Sequence, residues 1–270
     1  MAVSAPRFQN GHRTHEMTTL PLPTRSIALR PLALPAEHGG WGFLAEPILL
    51  GLLVAPSWSG ALVAAAAVFG FLARHPLKLA LQDAVRRKRY PRTFWCRALA
   101  ASYLLAALLS LAAALAMSGA RILVPLALAM PLALVQAWCD AKNHGRHLHA
   151  EISGAAAMAS IVTAIAIAGG RETSVAYGLA GIMIARFIPA ILYVRALLGR
   201  LPASAAITAH FAALGAIALY ATVPAIAAML VLLIRAAWGL THEAPKAKVI
   251  GWREIAFGIA TVALVAMGFR

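Results

Sequence analysis

Acidic residues are scarce in this chain. Nine Asp and Glu stand against 24 Lys and Arg in 270 residues, so a site built from several carboxylates has few to draw on. Charge of either sign is low. Charged residues make up 12%, against about 25% in soluble domains, while apolar residues reach 61%. That much apolar surface has no aqueous home, which excludes an ordinary soluble globule and leaves an integral membrane protein. The only two cysteines, Cys96 and Cys139, fall near predicted cytoplasmic ends of apolar runs and form no CxxC pair. Neither a disulfide framework nor a thiolate metal site is expected. No Gly-rich phosphate loop, nucleophile elbow or zincin motif is present. Residues 1–34 lack an apolar stretch before a small-residue cleavage site, so they do not read as a signal peptide. They read as a disordered basic cytoplasmic tail, with Met17 as a second candidate start.

What is there is a train of apolar runs. A membrane span takes about 20 such residues, and nine candidates occur: 40–57, 60–77, 97–117, 122–139, 152–169, 174–198, 203–220, 223–239 and 254–269. Ala and Leu dominate them, which suits helices rather than barrel strands. The connectors are of two kinds and alternate strictly. Those at 56–60, 118–121, 170–173 and 221–224 are short and nearly neutral, whereas those at 78–97, 140–149, 195–202 and 241–253 are basic. Basic loops stay in the cytoplasm. The pattern predicts an all-α, polytopic helix bundle with the N-terminus cytoplasmic, nine crossings and the C-terminus outside, in a bacterial cytoplasmic (inner) membrane. Residues 35–270 form its single domain. The net charge of +15 is explained by orientation, so membrane lipids are expected as partners and nucleic acid is not.

A charged side chain in hydrocarbon costs at least ~2.5–3.5 kcal/mol, so charges within or beside the runs mark candidate sites. Glu37 and His38 stand at the entry of the first run, and Glu46 lies deeper, just before Pro47. A proline frees the carbonyl four residues earlier, which favours a polar cavity there. Arg74, His75, Lys78 and Arg92 flank the second and third runs, with Arg74 and Lys78 placed to face Asp83. Lys142, Arg146 and Glu151 are placed to bracket a ligand head, while the histidines of the same stretch, 144, 147 and 149, read as solvated, with no zinc spacing. Arg186 lies well inside the sixth run and needs a partner, for which Glu46 and Glu151 are available. Tyr193 is seven residues on and shares its face. Arg195, His210 and Arg235 complete the set. The cations outnumber the acids, which favours an anionic or electron-rich head group held by guanidinium contacts.

The segment Pro35-Ala36-Glu37-His38-Gly39-Gly40-Trp41, with Glu46-Pro47 and the run 50–53, resembles the opening of the YwiC-like membrane protein family. Residues 87–93, Trp238-Gly239-Leu240 and Gly251-Trp252 are similar to it as well. More distantly, the chain resembles the UbiA superfamily of intramembrane prenyltransferases. That resemblance implies nine helices and an active site capped from the cytoplasm. Glu37-His38-Gly39 is similar in placement to the superfamily's entry motif, and residues 141–146 to its basic stretch. Its two Asp-rich motifs are missing, since residues 73–78 are followed only by Asp83 and residues 193–198 contain no acid. Magnesium needs oxygen ligands, so Mg²⁺-dependent ionisation of a prenyl diphosphate is not expected, and no cofactor is predicted.

These readings converge on a cytoplasm-facing cationic pocket for a lipidic or amphipathic ligand with an anionic head, isoprenoid or quinone-like. Arg74, Lys78, Arg146, Arg186 and Arg195 would hold the head, Glu37, His38 and Glu46 would position or protonate it, and Tyr193 would donate a hydrogen bond. A divergent UbiA-like transferase, a transporter or permease, and a non-catalytic accessory protein all remain open on this sequence.

Overall fold

A computed structural model describes residues 29–34, 38–87 and 90–269. The helices are α1 (Arg30–Ala33), α2 (His38–Val54), α3 (Trp58–Val85), α4 (Pro91–Ser118), α5 (Leu123–Ala141), α6 (Leu148–Ala168), α7 (Thr173–Leu197), α8 (Ala203–Ala218), α9 (Val223–Leu240) and α10 (Ala247–Met267). A 3-10 turn at Ala120–Ile122 leads into α5. No strand occurs among the described residues. Every apolar run therefore forms a helix, as expected where no water can satisfy open backbone groups. Among the described residues, seven of these helices, α3 to α7, α9 and α10, are long and apolar enough to cross a membrane. Two more, Gly40–Val54 and Ala203–Ala218, are shorter apolar helices, and α1 is a single turn.

Local sequence sets the helix ends. Ser57 caps α3, its hydroxyl accepting from the Gly60 N–H at 3.0 Å. Pro91 opens α4, where its missing N–H leaves nothing unsatisfied. The Thr93 hydroxyl accepts from the Tyr90 N–H at 3.1 Å. At the opposite end of the bundle, Arg171 Nε donates at 3.0 Å to the Val54 carbonyl, occupying a free acceptor in the last turn of α2.

The helices reach further than the apolar runs. The sequence predicts that the second span ends at residue 77, yet α3 continues to Val85. The basic stretch 78–97, read as a connector, is mostly helix, and α4 starts at Pro91. The last span, expected from Glu254, begins at Ala247. Long cationic side chains can extend their charges beyond the hydrocarbon edge while the backbone stays helical. Within residues 1–34, Arg30–Ala33 forms one helical turn, and Leu32 is buried with Ala80 and Cys96. Residues 1–28 lie outside the described residues.

Two cores hold the bundle. Leu50, Ala159, Met183, Phe187, Met229 and Val265 join α2, α6, α7, α9 and α10. Leu44, Phe71, Ala114 and Ile165 join α2, α3, α4 and α6. The centre is formed by α6 and α7, with half or more of their apolar windows buried, whereas α4 has only 11% buried and lies at the periphery. Helix α2 packs closely on α6 at Gly51, where an added Cβ would lie 2.8 Å from Ile165 Cβ. Small residues at such crossings let helix backbones meet in a membrane. Gly51→Ala is expected to destabilise the protein by about 1–3 kcal/mol, read as a lower unfolding midpoint in detergent, whereas Gly70→Ala, which meets open space, leaves that midpoint nearly unchanged.

Candidate functional site

Arg74 and Lys78 lie one helical turn apart on α3 and share a face. They do not meet Asp83, as the sequence suggested. Both turn to Asp140, the penultimate residue of α5. Arg74 Nε donates to Asp140 Oδ2 at 2.6 Å and Nη2 to Oδ1 at 3.1 Å, a forked pair. Lys78 Nζ stands 4.0 Å from Oδ1, and Gln136 Nε2 donates to the same oxygen at 3.2 Å. Gln82 Nε2 donates to Asn143 Oδ1 at 2.7 Å. Asn143 sits at φ +60°, a conformation that asparagine tolerates better than most residues. The α3 extension thus fixes the α5–α6 turn through polar contacts. Across the opening, Arg195 Nε donates to Glu151 Oε2 at 2.8 Å and its Nη2 to the Arg146 carbonyl.

Deeper in, charges alternate. Arg186 of α7 is 2% exposed. Its Nε lies 3.4 Å from Glu46 Oε2 of α2, close enough for an ion pair but without hydrogen-bond alignment. Its Nη1 donates to Glu254 Oε2 at 3.3 Å and its Nη2 to the Glu254 carbonyl at 3.1 Å. Glu254 Oε1 accepts from Arg235 Nη1 of α9. The row Glu46, Arg186, Glu254, Arg235 carries two charges of each sign, which makes its burial tolerable. Gly258 of α10 allows the approach, because a Cβ there would strike the Glu46 carboxyl group.

Most of these groups, though not Arg235, Gln82 or Asn143, line one cavity of about 940 Å³, within the 300–1,000 Å³ range of small-molecule sites. Arg74, Lys78, Arg146, Arg195 and Arg200 surround its charged end, with Asp140 and Glu151. Glu46, Arg186 and Glu254 lie further in. Phe43, Phe71, Leu104, Met158, Ile161 and Ile191 form apolar wall. Six cations face four carboxylates across it. Arg146 and Arg200 are exposed, and neither joins an ion pair among the described residues.

Of the residues singled out from sequence, Glu46, Arg74, Lys78, Arg146, Glu151, Arg186 and Arg195 line this cavity. Tyr193 and Arg235 line a second, smaller one. The others sit elsewhere. His75 Nε2 lies 3.1 Å from the Pro31 carbonyl oxygen, Arg92 pairs with Asp83 at 3.0 Å, Lys142 Nζ lies over the Trp138 ring, and His210 Nδ1 faces the Ala206 carbonyl at 2.8 Å. His38 opens α2, and Glu37 lies outside the described residues. The partners expected for Arg186 were Glu46 and Glu151. Glu46 is one, but the other is Glu254, and Glu151 serves Arg195 instead. Sequence reasoning gave no site role to Asp140, Glu254, Gln136 or Arg200. The available signal for Asp140 was its position at the end of an apolar run.

A family model described as YwiC-like protein matches residues 34–166. Over that stretch, just under half of its length, the chain is similar to the YwiC-like family. The matched stretch runs from before α2 almost to the end of α6. It supplies Glu46, Arg74, Lys78, Asp140, Arg146 and Glu151 to the cavity, while Arg186, Arg195, Arg200 and Glu254 come from the remainder. The YwiC-like similarity read at 238–240 and 251–252 lies beyond the match. No curated protein and no solved structure matches the chain.

Proposed function

We propose that this YwiC-like protein crosses the bacterial cytoplasmic membrane nine times, N-terminus inside, and holds an amphipathic ligand with an anionic head in its central cavity. In this reading the two shorter helices also cross. At 17 and 16 residues they span about 24–26 Å, slightly less than a ~30 Å hydrocarbon core, and local thinning accommodates the difference. The basic turns after α3, α5, α7 and α9 then share the cytoplasmic side, a UbiA-like layout with the cavity opening to that side.

The observation that carries the ligand reading is the lining itself: six cations against four carboxylates, backed by aliphatic and aromatic wall. Arg146 and Arg200 have unspent donors for a phosphate or carboxylate, and forked guanidinium contacts are the strong way to hold one. The apolar wall accepts an isoprenoid or quinone-like tail. Glu46 holds Arg186 in place rather than meeting the head directly. Native mass spectrometry of protein extracted in mild detergent tests this. The expected spectrum contains a retained lipidic mass whose occupancy depends on Arg146 and Arg200. Changing Arg146 and Arg200 together to Ser is expected to lower its occupancy at least about tenfold, equivalent to about 1.4 kcal/mol. Folded protein that emerges without any adduct from several detergents overturns the reading.

A further inference from the structure

A second cavity of about 470 Å³ lies between α7, α9 and α10. Its chemistry differs from the central one. Tyr193, Val231, Ile234, Trp238 and Phe257 form most of its wall. Val231, Ile234 and Trp238 are 44%, 60% and 70% exposed, so this wall continues onto the apolar outer face of α9. Arg235 lines the same cavity. Its side chain is 8% exposed, and its guanidinium carbon lies 4.1 Å from the Tyr193 ring centroid and 5.2 Å from that of Phe257. Only Nη1 meets an acceptor, on Glu254, while Nε and Nη2 have none. Two nitrogens with unspent N–H donors on a buried cation are a costly arrangement unless an acceptor arrives. Arg253, an exposed residue, lines the cavity with it.

From this cavity we infer a second binding site, separate from the central one, for an anionic glycerophospholipid of the surrounding leaflet. Arg235 and Arg253 take the phosphate, and an acyl chain lies along Val231, Ile234 and Phe257. The depth fits. Arg235 is five residues short of Leu240, where α9 ends, about 8 Å along the helix, which is the level at which buried cations reach lipid heads. The position also matters for the rest of the molecule. Glu254 lines both cavities, so a phosphate at Arg235 competes with the carboxylate that also holds Arg186.

The test uses delipidated full-length protein in detergent, titrated with phosphatidylglycerol or phosphatidylcholine and followed by native mass spectrometry. One phosphatidylglycerol is expected to bind at least tenfold more tightly than phosphatidylcholine. Arg253→Ala removes an exposed cation without disturbing the buried row, and Val231→Trp fills the apolar wall. Each is expected to weaken phosphatidylglycerol binding at least tenfold, while the paired Arg146→Ser and Arg200→Ser changes leave it unaltered. Equal binding of the two lipids overturns the site, as does indifference to both Arg253→Ala and Val231→Trp. Displacement of the lipid by millimolar inorganic phosphate also overturns it, because the site then reads a free anion and not a lipid.

Discussion

Replacing Arg186 with Met is expected to lower the stability of the folded protein by about 3–5 kcal/mol, the typical loss when one partner of a buried ion pair is removed. The side chain is 2% exposed and stands between Glu46 and Glu254. Methionine fills similar volume, so the change is chiefly electrostatic. Glu254 retains Arg235, but Glu46, itself buried, has no other cation among its ion pairs in the described residues. Reversible unfolding in mixed micelles measures the loss. A double-mutant cycle then isolates the pair: Glu46→Gln in the Arg186→Met background is expected to be less harmful than in the wild type, with a coupling of about 0.5–3 kcal/mol. Strict additivity of the two changes means that the two groups do not interact in the folded protein.

Asp140→Ala is expected to be the next most damaging change, at about 2–4 kcal/mol. The carboxylate is 4% exposed and serves Arg74, Lys78 and Gln136 at once. Its loss leaves two cations facing each other on one turn of α3 and removes the link between α3 and the α5–α6 turn. Arg74 is 32% exposed and can rehydrate, which holds the effect below that of a fully buried pair. The same unfolding measurement is expected to show Arg74→Gln in the Asp140→Ala background as nearly neutral. A loss under about 0.5 kcal/mol for Asp140→Ala, the scale of an ordinary surface change, means that this carboxylate is solvated and that the α3 extension stands without it.

The elements were legible in the sequence because hydrocarbon allows so few backbone solutions. Apolar runs punctuated by Ser57, Pro91 and Gly119 left little choice but helices, and each run proved to be one. Helix ends were less legible, because Lys78, Arg92 and Lys248 read as loop when composition is the guide, while their flexible stems let the charge leave the membrane edge without breaking the helix. That error carried into the site. With α10 started at Glu254, the residue looked interfacial. With α10 started at Ala247, it lies two turns in and meets Arg186. The pairing of Arg74 with Asp140 was out of reach for a different reason. Spacing along one helix says which side chains share a face, but not which distant helix that face meets, so Asp83 looked like the natural partner. Arg186 was the exception. A lone arginine in the middle of an apolar run demands an acid, and Glu46 was among the few in the chain placed deep enough to supply one.

The ion pair between α2 and α7 also has a consequence for how the molecule is made. Glu46 leaves the ribosome about 140 residues before Arg186. At roughly 5–20 residues per second, this amounts to some 7–30 s. During that interval α2 carries its carboxyl group without the cation that later accompanies it, so the closing of α2 against α7 waits for the second half of the chain.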